Sequence, residues 1–158
     1  MRLASLLATA VLFATVSGCG TPAPQFTAAD AAAIQAIFDS TVTDIRAGNI
    51  DSWASRFADD AAFYFANTPP IVGRSAILAW GKAMPQMETF TFADVAVAGE
   101  GNLAYGTSRV FSKPQGAPAD TAKQLVVFRR SASGRWLVQA GSVSSDLPLP
   151  QAAPAAHK

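Results

Sequence analysis

The spacing of apolar residues changes once along this chain, and that change limits its fold more than any other feature. Ile34, Ile37, Phe38, Val42 and Ile45 recur at helical spacing, and helical segments continue to Ala83. From Glu88 onward the period is two. Helices followed by a run of antiparallel strands define an α+β class, with the helices gathered on one face of a curved sheet.

The punctuation supports this division. Thr27 is an N-cap residue with Asp30 three positions on, the spacing of a capping box, and Gly48-Asn49 stops the first helix. Asp51 is positioned to cap a short second helix carrying Trp53 and Phe57, with Asp59-Asp60 at its end. Residues 61–66 are strand-like until Asn67-Thr68-Pro69-Pro70 breaks them, and a third helix is expected over 74–83. Strands are expected over 88–97, over 103–111, and as a hairpin over 121–130 and 135–145 around Ser133-Gly134. Residues 113–120 read as a loop between them, and the Pro- and Ala-rich residues 147–158 as a disordered tail.

The first 18 residues read as an export signal: a positive Met1-Arg2 start, an apolar stretch over 3–16, and small Ser17-Gly18. Val16-Ser17-Gly18-Cys19 resembles the bacterial lipobox, which implies cleavage before Cys19 and its lipidation. Residues 19–25 then form a tether. The expected address is the periplasmic side of a bacterial envelope membrane, held by the lipid anchor at Cys19. Gly20 after the cysteine favours the outer membrane in a Gram-negative host. A lipidated Cys19 leaves no free thiol, because the chain has one cysteine.

Twelve basic and eleven acidic residues give a net charge of +1, with the basic ones scattered rather than clustered. Nucleic acid is not an expected partner, since phosphate binding needs Lys and Arg gathered on one face. The one histidine, His157, lies in the tail without acid neighbours, so neither a metal site nor a cofactor is expected.

Three segments carry a family resemblance. The runs 45–53 (IRAGNIDSW), 57–63 (FADDAAF) and 70–77 (PIVGRSAI), with Gly134-Arg135-Trp136-Leu137-Val138 near the end, resemble the SnoaL-like part of the nuclear transport factor 2-like superfamily. The resemblance covers residues 26–146. It implies three N-terminal helices packed on a cone of antiparallel sheet around a pocket, and a homodimer. It also allows residue-by-residue comparison with the family's ketosteroid isomerases. Their catalytic aspartate falls on Phe65, their helix-one tyrosine on Thr41, and an acid common late in the last strand on Gly141. Phe65 cannot abstract a proton. The reading therefore leans away from catalysis and toward binding of a small apolar or weakly anionic ligand. An isomerase, cyclase or dehydratase-like enzyme and an envelope interaction module stay open as alternatives.

Tyr64, Trp80, Asp94, Tyr105 and Arg109 are the candidate ligand contacts. Tyr105 and Arg109 share one strand face and would hold an anionic or carbonyl group if that face turns inward. Turned outward, the same face meets solvent or a second copy. Asp94 follows Phe90 and Phe92 in parity, which makes it an inward carboxylate if the alternation holds; the shift at Val95 and Val97 suggests instead a bulge that turns it to solvent.

Overall fold

The computed structural model describes residues 24–65 and 68–148. Cys19, the signal segment, most of the tether and most of the tail lie outside the described residues.

The first helix, α1, spans Ala28–Ala47. Thr27 and Asp30 close a reciprocal capping box, with Thr27 N–H donating to Asp30 Oδ2 at 2.9 Å and Asp30 N–H to Thr27 Oγ1 at 3.3 Å. Gly48 ends the helix in the left-handed region. Ile34, Phe38 and Ile45 form its buried stripe. The short α2 spans Ile50–Ala54. Its N-cap is Asn49, without a side-chain cap; Asp51 sits inside the first turn and pairs instead with Lys82 at 2.9 Å.

Strand β1 covers Phe57–Phe65, so Asp59-Asp60 belong to a strand rather than to a helix end. Asp59 pairs with Arg74 and Asp60 with Arg129. The irregular register between Phe57 and Ala62 explains the difference, because it breaks the alternation by which a strand is recognised. The short β2 (Ile71–Val72) and α3 (Arg74–Ala83) follow, the latter with the expected limits.

The remaining strands are β3 (Met87–Glu100), β4 (Leu103–Pro114), β5 (Asp120–Arg130) and β6 (Trp136–Ser145). They extend an open, curved six-stranded sheet in the order β2-β1-β6-β5-β4-β3. Neighbours run antiparallel except β1 and β6, which are parallel. The helices cover the concave face, and Phe128, Ile34 and Ile77 are its most deeply buried large side chains.

Parity in β4 decides which residues look inward. Ala104, Gly106, Ser108 and Val110 face the core, while Leu103, Tyr105, Thr107 and Arg109 are exposed. Small residues are required inside: a Cβ on Gly106 would stand 2.8 Å from the Phe38 ring. The larger alternating residues therefore occupy the outer face.

Candidate ligand cavity

Helix α1 runs the length of the cone, and its C-terminal half meets a void. Thr41 and Ile45 of α1, Phe63 and Phe65 of β1, Trp80 and Met84 of α3, and the concave faces of β3–β6 enclose a cavity of about 350 Å³. That lies within the ~300–1,000 Å³ of ordinary small-molecule sites.

Aromatic packing builds much of its wall. Phe65 stacks on Trp80 with centroids 4.5 Å apart and planes 28° apart, and Phe63 lies 5.0 Å from Phe65. Phe90 and Phe92 meet edge to face at 5.2 Å. A narrower void of about 50 Å³ continues toward Phe38, Phe57 and Phe128, where Arg56 also contributes to the lining and pairs with Asp44 at 2.5 Å.

The polar lining is sparse and ordered. Gln124 Nε2 donates to buried Ser108 Oγ at 2.9 Å, and Thr41 Oγ1 donates to the Ile37 carbonyl at 2.8 Å. Ser145 Oγ donates to Asp120 Oδ1 at 3.0 Å, with Ser112 on the strand beside Asp120. Asp120 is the single ionisable side chain among the described residues that line this void. No cluster of three His, Cys, Asp or Glu side chains capable of holding a metal occurs among the described residues.

Two carboxylates outside the cavity are tied into hydrogen-bond networks that lower their pKa values. Asp30 is held well below the usual carboxylate range, chiefly by the Trp136 Nε1 hydrogen bond at 3.0 Å, against the opposing effect of burial; Thr27 and Arg130 reinforce it. Asp60 is lowered mainly by the Gln139 amide, with Arg129 adding to it. Both are structural connections: the first ties the start of α1 to β6, and the second links β1, β5 and β6.

Of the candidate contacts read from sequence, Trp80 lines the cavity. Tyr64 is 47% exposed, because its neighbours Phe63 and Phe65 take the inward positions. Asp94 is exposed at the register shift between Ala93 and Ala96, with φ 55°. Tyr105 is 50% exposed and lines an apolar groove on the outer face with Leu103 and Leu125. Arg109 stands on that face too, 4.9 Å from the centre of the Phe111 ring. Sequence reasoning missed Asp120, Ser112, Gln124 and Ser145. Gln124 had a usable signal: it alternates with Ala122, Val126 and Phe128 and is a polar residue set among them.

Phe65 and Thr41, aligned by resemblance with the isomerase aspartate and tyrosine, both line the cavity. Gly141, aligned with the late acid, lies behind Phe63, whose ring an added Cβ would overlap. These three positions hold packing residues around the void.

A SnoaL-like domain model matches residues 34–139. The chain belongs to the SnoaL-like family. Solved structures agree on the fold of this SnoaL-like domain. An NTF2-like protein of unknown function from Pseudomonas putida KT2440 is 22% identical, with 79% of this chain and 92% of that one covered and a TM-score of 0.68. A ketosteroid isomerase-like protein from Erwinia carotovora atroseptica is 17% identical over 77% of this chain and 100% of that one, with a TM-score of 0.64. ActVI-ORFA from Streptomyces coelicolor is 18% identical, covering 73% of this chain and 96% of that one, with a TM-score of 0.61. No curated protein matches the chain.

Proposed function

We propose that this chain is an envelope lipoprotein, anchored through Cys19, whose SnoaL-like cone binds a small apolar molecule. The observation that carries the binding role is the aromatic cavity itself, with packing residues at Phe65, Thr41 and Gly141. Its lining supports an apolar ligand over an anionic one, since Arg109 stands on the outer face and Asp120 would repel an anion. Trp53 and Trp80 in the wall offer a direct readout. Neutral naphthalene-sized probes should change tryptophan fluorescence saturably, and Trp80→Ala should weaken their binding. No saturable change with any such probe would remove this reading.

The anchor has its own test. Cys19→Ser should release the protein from membranes, and unchanged membrane retention would contradict lipidation. Outside the cone, the groove around Leu103, Tyr105 and Leu125 supports pairing of two copies through the outer sheet face. Sedimentation should then give a dimer that Leu125→Glu reduces to a monomer.

A further inference from the structure

The cavity carries a charge that no partner within the described fold neutralises. Asp120 opens β5 opposite Ser112 of β4, and Ser112 in turn stands opposite Phe90 of β3. These residues and Ser145 lie toward strand ends, where Ser145 is exposed and Asp120 and Ser112 are half-buried. The stacked Phe65 and Trp80 line the same void.

Elsewhere the protein pairs its acids consistently. Seven of the eleven side-chain carboxylates (Asp30, Asp44, Asp51, Asp59, Asp60, Glu88 and Asp146) make ion pairs with Arg or Lys. Asp39, Asp94, Glu100 and Asp120 have no such pair among the described residues, and of these four only Asp120 lines the cavity. No Lys or Arg among the described residues shares that lining. A carboxylate drawn partly out of water calls for a cation or donors in answer. Aromatic faces that line the same void also attract a cation.

We propose that the ligand is an apolar organic amine, bound as its ammonium ion. Its N–H groups donate to the Asp120 carboxylate and to Ser112 Oγ, and its hydrocarbon body lies against Phe65, Trp80 and Phe90. This rests on the binding role proposed for the cavity and adds the charge of the ligand. Anionic amphiphiles are excluded by the same carboxylate.

The test is a titration of the full chain with 3-phenylpropylammonium, 3-phenylpropanol and 3-phenylpropanoate, followed by tryptophan fluorescence and calorimetry. The amine should bind about tenfold more tightly than the alcohol, and the carboxylate most weakly. Asp120→Asn should bring the amine down to the alcohol. Asp94→Asn, also unpaired but outside the cavity, should leave the preference intact. Thermal unfolding checks that both variants are folded. An alcohol that binds as well as the amine, or an amine preference that survives Asp120→Asn, overturns the inference while the apolar-binding reading stands. Absence of saturable binding by all three probes overturns both.

Discussion

Helix α1 connects two ends of the cone that handle polar groups differently. At its start, Asp30 is buried and closes the capping box, accepts from Trp136 Nε1 at 3.0 Å, and pairs with Arg130 at 2.6 Å. The Arg130 guanidinium lies over the Trp136 ring, and Phe26 meets that ring edge to face at 5.7 Å. Toward its finish, Thr41 and Ile45 border a void, and the carboxylate there accepts one hydroxyl. One end spends its polar groups on holding helix to sheet. The other keeps space and a carboxylate with no cation paired to it among the described residues, at the expense of packing contacts that a filled core would gain. Helix-to-sheet anchoring and the proposed binding role thereby fall at opposite ends of one helix.

The sharpest way to break this contrast is truncation. Ile34→Ala, in the packed region, should cost about 2–5 kcal/mol in chemical denaturation. Phe65→Ala, which already faces the void, should cost only about 1–2 kcal/mol. Equal losses would erase the distinction between the ends. Gly141→Ala tests the boundary: its Cβ would press on Phe63, so a cost of about 1–3 kcal/mol and weaker probe binding should appear together.

Acid should act on the packed end selectively. The folded state holds Asp30 ionised below the ordinary carboxylate pKa of ~3.9, so its stabilisation is complete above that range. That stabilisation is lost as pH falls through the ordinary value toward the lowered one. Denaturation midpoints between about pH 6 and pH 3 should therefore fall more steeply for the native chain than for Asp30→Asn. Parallel slopes would remove the Asp30 connection from the account. The smallest effect belongs to the open end: Asp120→Asn should shift stability by no more than about 0.5 kcal/mol, and a larger loss would make Asp120 a structural residue.

What could be read from sequence follows from how local each signal is. The capping box, Gly48 and the limits of α3 depend on neighbours within one or two turns, and they were legible. The parity shift at Val95 and Val97 also gave the bulge that exposes Asp94. The start of β1 was hidden because its first half pairs irregularly with β6, a strand distant in sequence. In β4 the alternation alone does not say which face is inward; Gly106 and Ala104 face the core because Phe38 of α1 and Phe26 occupy the space above that hairpin. That requirement belongs to a helix, and the strand's own pattern does not carry it. Asp120 read as the end of a loop, and its place in the lining depends on β5 beginning one residue earlier and pairing with Ser112. Phe65 and Thr41 were reachable through family alignment, which located the cavity without saying what fills it.

The central claim, that the void at the finish of α1 is the binding site, is tested most directly by filling it. Val143 of β6 lines the cavity and is half-buried. Calorimetric titration of 3-phenylpropanol into the native chain and into Val143→Trp, with circular dichroism to compare their folds, should show saturable binding that the indole abolishes. Equal affinity in a folded Val143→Trp protein would place the ligand elsewhere and contradict the account.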